Sequence, residues 1–460
     1  MLQVKEFPKN FILFADTLIA IGGIFIERRK YQSGLCYYQL VRGMFECVHP
    51  KNHSRILLRR AKVYNNIGYV YSEMNQFSCA LKYYKISVDI ETKLLPSNHP
   101  SIATGMNNIA TAYLKKQNFS LANKYFQQAN EIRPTSLPFD HHPDHAQMYN
   151  NLGTMEYEKK HFDQALVHFE KALEIHMKCL PPVHPQTVIL YNSMGHAYSG
   201  KDNHKKALEM HEKALEIGQQ CWPSGHPEIS QAYCNIGGAS RSLKDYARAL
   251  SNCEKALIIA RNCLPSTHPD LAEAYSNLAE VYSITNESSM ALTYFLKALD
   301  IYTKNPPINS FTLGVLYEEM GIEYSTVEKY EEALKHFQMA LNIFQSSHEV
   351  ESSLKTLFLN LGQVYHHNND YDNALIYIEK YIQFELMLIP NINYQNLSQA
   401  YDTLGDIHHQ RKNYPIALKN YEKALESAEK VDSISSTEED RSTLIQQYQN
   451  TIKLIKDLID

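Results

Sequence analysis

Tryptophan occurs once, at Trp222, and glycine (17) and proline (18) are sparse for a chain of 460 residues. That scarcity excludes a collagen-like or low-complexity chain, and 44% hydrophobic with 21% charged residues excludes a disordered one. The eight cysteines contain no CxxC pair and no dense cluster, so they do not read as the disulfide framework of a small secreted domain, and a reducing compartment, the cytosol, is expected. An excess of either charge is also lacking: 45 Lys and Arg stand against 50 Asp and Glu. Without a basic surplus to meet a phosphate backbone, nucleic acid is not the expected partner.

Long apolar runs are missing as well. The longest candidate, Phe11 to Ile26, carries Asp16 inside it and has its basic flank Arg28-Arg29-Lys30 behind it instead of in front. It is too short and too polar to span a bilayer, and it reads as a helix of the fold with no membrane role.

What the sequence has in abundance is tyrosine, 32 of them, and they mark a period. A small residue follows an apolar one at Gly68, Ala110, Gly153, Gly195, Gly237, Ala279, Gly321, Gly362 and Gly405, in steps of 41 to 43 residues. Twelve residues after each stands an alanine, from Ala80 and Ala122 to Ala374 and Ala417. Four before it stands an aromatic in eight of the nine units, among them Tyr64, Tyr149, Phe358 and Tyr401, with Met106 in the ninth. Each unit therefore reads as two amphipathic helices that cross closely at the small residue. Gly22, Tyr31, Leu35 and Tyr38 fall where a tenth, more degenerate unit would put them.

This frame resembles the tetratricopeptide repeat over nearly the whole chain. The connectors Leu95-Pro96 to His99-Pro100, Leu180-Pro181 to His184-Pro185, Trp222-Pro223 to His226-Pro227 and Leu264-Pro265 to His268-Pro269, with Pro138 to His142-Pro143 as a variant, lengthen the unit to 42 residues. In that respect it is similar to the repeats of kinesin light chains and nephrocystin-type proteins. The resemblance implies an all-α, right-handed α-solenoid of stacked helical hairpins. Residues 1–60 read as the degenerate first repeat, 61–303 as six regular repeats, 304–432 as three divergent ones, and 433–460 as a capping helix with a capping box at Ser436 and Glu439 and an apolar stripe of Leu444, Tyr448, Ile452 and Ile455.

Catalytic chemistry finds no foothold. Gly195 to Lys201 approaches a phosphate-binding loop, but Asp202 stands where that loop needs Ser or Thr, and Gly195 is a crossing glycine of the repeat. His99, His142, His184, His226 and His268 share one phase of the period, which spaces them about 10 Å apart along a stack and too far for a common metal. They read as solvent-side connector residues. No enzyme, cofactor or metal is expected.

Function is expected from surfaces. In a stack the first helices of successive units line the concave face, and the residue two before the small one is Asn66, Asn108, Asn151, Asn235, Asn277 and Asn360. Such amides suit the backbone of an extended peptide, or equally a bond to the neighbouring repeat. In kinesin light chains the groove takes short cargo peptides through asparagines and basic residues, which the resemblance implies here for Asn66, Asn108 and Asn151 with Lys62 and Lys115. The heptad region that joins light chains to a motor heavy chain is not present in this sequence, so a motor-cargo adaptor is the second reading and an interaction arm of a larger, enzyme-bearing polypeptide the third. The lysine that chaperone adaptors place three before the small residue is absent: Asn65, Asn107, Asn150, Asn192, Cys234, Ser276, Glu318, Leu359 and Asp402 occupy that position. Charge runs from 18 basic and 8 acidic residues over 1–134 to 12 and 23 over 305–460. An acidic peptide is accordingly the expected partner of the first units.

Overall fold

The computed structural model describes residues 9–27, 30–46, 54–132, 143–304, 310–346, 351–387, 392–431 and 438–459. The described residues form twenty-one helices, eighteen of them packed as nine helical hairpins, with no strand among them. The hairpins pair α1 (Lys9–Glu27) with α2 (Tyr31–Glu46), α3 (Ser54–Glu73) with α4 (Phe77–Leu94), α5 (Pro100–Lys115) with α6 (Phe119–Glu131), α7 (Pro143–Glu158) with α8 (Phe162–Cys179) and α9 (Pro185–Gly200) with α10 (His204–Cys221). They continue as α11 (Pro227–Ser242) with α12 (Tyr246–Cys263), α13 (Pro269–Ile284) followed by α14 (Ser288–Lys304), α15 (Ser310–Thr326) with α16 (Tyr330–Ser346), α17 (Glu351–His367) with α18 (Tyr371–Met387), and α19 (Tyr394–Gln410) with α20 (Tyr414–Glu429). The closing helix is α21 (Glu438–Asp457). Two compact units result: unit 1 holds Met1–Val281 with Asp300–Ile308, and unit 2 holds Tyr282–Leu299 with Asn309–Asp460.

The close crossing follows from side-chain size. A Cβ placed on Gly68 would stand 2.7 Å from the Tyr84 ring, on Gly153 2.6 Å from Phe169, on Gly321 2.6 Å from Phe337, and on Gly405 2.6 Å from Tyr421. The contact always comes from the second helix at the same offset along the chain, from Cys253 at Gly237 and Ile378 at Gly362 as from the rings, and Gly22 with Tyr38 (2.7 Å) obeys the same rule in the first hairpin. The alanines of the second helices, such as Ala80, Ala165 and Ala417, have no exposed surface. Large rings fill the space beside the crossing: Tyr71 stacks on Tyr83 at 5.5 Å and Tyr113 on Tyr125 at 5.6 Å in unit 1, and Tyr365 stacks on Tyr377 at 5.5 Å in unit 2. The aromatic four before the small residue receives a lysine from the second helix, as with Lys171 over Tyr149 and Lys255 over Tyr233, both at 5.6 Å. Each such cation-π contact contributes about 0.5–1 kcal/mol at a partly exposed site.

The turn inside each hairpin is the same nine times. Seven residues after the small one, Asn75, Gln117, Lys160, Asp202, Lys244, Asn286, Glu328, Asn369 and Lys412 all take φ between 56° and 62°. The next N–H donates back across the turn, as Asn118 N does to Tyr113 O at 2.9 Å, the arrangement that ends a helix in a left-handed residue. The segment Gly195 to Asp202 accordingly runs through α9 into one of these turns.

The apolar N-terminal run is α1, and its internal charge is accounted for: Asp16 accepts from Arg59 Nη2 at 3.0 Å and from Arg59 Nε at 3.2 Å. No helix among the described residues is long and apolar enough to cross a membrane. In unit 2, Tyr448, Ile452 and Ile455 of α21 are buried, the latter two against Ala417 and Tyr421 of α20, so the terminal stripe covers the last hairpin. Ser436 of the expected capping box and His142 of the variant connector lie outside the described residues.

The crossing can be tested with a matched pair of glycines. Gly321→Ala drives a methyl into the buried Phe337 ring and should destabilise by about 1–3 kcal/mol. Gly238→Ala, whose Cβ meets nothing within 4 Å, should stabilise by up to about 1 kcal/mol through helix propensity. Denaturant midpoints of the two variants moving in the same direction would contradict this account.

Candidate functional site

Where four of the first helices begin, α5, α9, α11 and α13, is decided by the histidine of the connector. The Nδ1 of His99, His184, His226 and His268 accepts the backbone N–H of Ser101, Gln186, Glu228 and Asp270, at 3.1–3.2 Å. The proline that follows starts the helix, at the one position where its missing N–H costs nothing. The expectation of solvent-side histidines is therefore corrected: His99, His184 and His226 are half-buried and His268 is buried. A capping acceptor must lie against the backbone it caps.

The first helices α3, α5 and α7 of unit 1 lie side by side and present the side opposite the crossing. Two adjoining cavities open there. The first, about 440 Å³, includes Leu58, Lys62, Asn65, Glu91, His99 and Thr104 in its lining, and burial pushes the Glu91 carboxyl above its ordinary range. The second, about 330 Å³, is lined by Thr104, Asn107, Asn108, Thr111, Gln147 and Asn151, together with Pro100 and Ala103. Its lining carries no charged side chain, and its polar groups are all amides and hydroxyls. Thr104 belongs to both, so the two form one trough.

The asparagine row has a second task. Asn108 Nδ2 donates to Asn65 Oδ1 of the preceding hairpin at 2.9 Å, and Asn235 Nδ2 donates to Asn192 Oδ1 at 3.4 Å. In unit 2, Asn360 Nδ2 donates to Glu318 Oε1 at 3.5 Å. Asn277 hydrogen-bonds the buried Cys234 in the same register. The amide two before the small residue thus reaches the residue three before it in the previous repeat and holds the stack. Asn151 Oδ1 instead accepts from Gln147 Nε2 at 2.9 Å, within its own helix.

Of the expected site residues, Lys62 lines the first cavity and Asn108 and Asn151 the second. Asn66 lines neither, and Lys115 pairs with Glu158 at 3.3 Å. Asn235 and Asn277 sit on α11 and α13, further along unit 1, and Asn360 belongs to unit 2. Thr104 and Gln147, six before the small residue, escaped the sequence reading although helical spacing puts them on the same face as Asn108 and Asn151.

Farther along unit 1, where Ser193 breaks the row, a histidine takes the ring position at the crossing. His211 approaches the space of a Gly195 Cβ to 2.5 Å, its Nδ1 lies 3.1 Å from Asn192 Oδ1, and its ring meets His196 at 5.0 Å. Burial, with His196 adding to it, pushes its pKa down to about 3, so it serves as a neutral packing and hydrogen-bonding group.

Unit 2 presents carboxyls at the corresponding place. Glu318 accepts from Thr356 Oγ1 at 3.1 Å and is 8% exposed. Burial raises its pKa to about 7, and burial with Asp406 nearby raises that of Asp402 to about 7. Among the described residues no group of three or more His, Cys, Asp or Glu is disposed to hold a metal ion.

Family models described as tetratricopeptide repeat match residues 59–135, 144–220, 228–304, 312–384 and 397–431, and a further one matches 107–178. No curated protein matches the sequence. Among solved structures, the chain is similar to the APC/C hetero-tetramer Cut9-Hcn1 (13% identity, 94% of this chain and 96% of that one, TM-score 0.43). It is also similar to the apo form of RapI (16%, 61% and 97%, TM-score 0.46) and to BtubC (BKLC) from P. vanneervenii (18%, 51% and 92%, TM-score 0.41).

Two outcomes follow from this geometry. His184→Ala should cost about 1 kcal/mol of stability, while His184→Asn, which keeps an acceptor for the Gln186 N–H, should cost far less; equal losses would mean that the cap does not matter. For Glu318, the folded-state pKa lies above the ordinary carboxyl value, so the folded form holds its proton longer and loses stability as pH rises through the interval up to about 7. Glu318→Gln should therefore stabilise by about 2–3 kcal/mol at pH 8 and by nothing at pH 4. A gain independent of pH would point to packing instead of ionisation.

Proposed function

Since the chain belongs to the tetratricopeptide repeat family, whose repeats form protein–protein interaction scaffolds, we propose that it is a non-enzymatic adaptor holding an extended peptide segment of a partner on the concave face of unit 1. The observation that carries this reading is the uncharged second cavity of the trough, beside Asn107, Asn108, Thr111, Gln147 and Asn151. A side-chain amide is the same chemical group as a peptide bond, with donor and acceptor on one rigid plane, so a row of them pairs with a backbone whatever its side chains. Asn108 spends a donor on Asn65 and keeps its carbonyl oxygen for the trough. Specificity comes from the neighbouring cavity, where Lys62 stands with Leu58 and Leu95 in the lining, and from the basic surplus of residues 1–134. An acidic peptide with an apolar residue beside its charge fits both, and the compartment that suits the scattered thiols is the cytosol.

Fluorescence anisotropy of the full chain with matched acidic and basic dodecapeptides tests this. The acidic peptide should bind about tenfold more tightly at low salt, the difference shrinking as the Debye length falls. Asn108→Ala combined with Asn151→Ala should weaken binding about tenfold, the value of one to two hydrogen bonds. Asn235→Ala, which breaks the same kind of inter-repeat bond away from the trough, should leave affinity unchanged. Equal affinity for both peptides, or a double variant that binds as the parent does, rejects the proposal.

A further inference from the structure

We propose that unit 1 is closed by a clasp between its first hairpin and the connector leading into α13, and that the clasp controls entry to the concave face. The control of entry rests on the groove reading above; the clasp does not.

The repeat supplies its own comparison. His99, His184, His226 and His268 hold equivalent positions in four connectors, and all four cap the next helix through Nδ1. Three remain partly open to water, even His226, on which Trp222 stacks at 5.3 Å. His268 is 4% exposed. An element far away in sequence lies against it: Tyr31, the first residue of α2, brings its ring to 6.2 Å from the His268 imidazole at a tilt of 44°. The Tyr31 hydroxyl donates to Glu73 at 3.2 Å, which ties the turn after α3 into the same contact. Residues 30–33 and 73–76 on one side, and Pro265, Thr267, His268, Pro269 and Lys304 on the other, enclose a shared cavity of about 540 Å³.

The meeting has a geometrical cause. Each hairpin is rotated slightly on the one before, so a stack coils, and six hairpins bring the start of unit 1 round to the connector after α12. The contact differs from the helix pairs in kind. Most residues of its lining are polar, and a cavity wide enough for several waters remains beside the two rings, so it lacks the continuous apolar packing of the helix pairs. A contact of that composition opens locally without unfolding the hairpins on either side. With the clasp shut, a partner reaches the concave face only by a free end; with it open, an internal segment can be laid in sideways.

Hydrogen exchange on the full chain separates the clasp from local effects. His268→Asn keeps an acceptor for the Asp270 N–H and removes the ring, while His184→Asn makes the same change in a connector that no distant element covers. His268→Asn should raise exchange at residues 31–33 about threefold or more, Tyr31→Ala should do the same at 265–269, and His184→Asn should change neither. Unaltered exchange at 31–33 in His268→Asn would overturn the clasp. For the gate, Tyr31→Ala should speed association of the acidic dodecapeptide by about the same factor without altering its dissociation. If exchange shows the clasp but association is unchanged, the gate is overturned while clasp and groove stand. If the peptide binds no form of the protein, the groove reading falls and the gate with it, and exchange still decides the clasp.

Discussion

Everything in this protein hangs on a helix crossing that admits nothing larger than alanine, and in seven of the nine repeats only glycine. Glycine on the first helix meets a large side chain at a fixed place on the second, Tyr84, Phe169, Phe337 or Tyr421. A contact that tight admits one register. It sets the length of the hairpin turn, and with that length the left-handed residue at its tip, taken nine times by Asn, Gln, Lys, Asp or Glu and never by glycine. Such a conformation costs a non-glycine residue about 1–2 kcal/mol, and the nine turns keep it because the crossing on one side and the helix cap on the other leave no alternative.

The crossing also decides what is left for function. One side of each first helix is consumed by its partner, and the neighbouring first helices claim part of what remains through amides such as Asn108 on Asn65 and Asn235 on Asn192. Only a narrow strip of each first helix faces open space, and in unit 1 that strip is furnished with amides and hydroxyls. In unit 2 the residue three before the small one is Glu318 in one repeat, buried against Thr356 and Asn360, and Asp402 in another, and burial, with Asp406 beside Asp402, raises both carboxyls to about 7. One backbone plan thus carries amides in one unit and carboxyls in the other at the same position.

The repeat frame is legible in the residues, since the period of small, aromatic and alanine positions is the direct imprint of the crossing. So are the first helix inside an apolar run and the stripe of α21, both written in helical spacing. The candidate site is legible in part. Phase alone places Asn108 and Asn151, but it passes over Thr104 and Gln147, and it cannot show that Lys115 is engaged with Glu158. The connector histidines mislead, since a polar residue between two prolines looks like a solvent residue until its Nδ1 is seen against a helix N-terminus.

The hairpins are settled by the order of the residues, because packing between the two helices of one repeat is a local matter that a period can record. Which amides face a trough and which are spent on the next repeat, and why His268 differs from its three equivalents, emerge only in the folded chain. Those outcomes depend on coiling, which accumulates from one hairpin to the next and brings Tyr31 of the first hairpin to a connector far along the sequence. No single repeat contains that rotation.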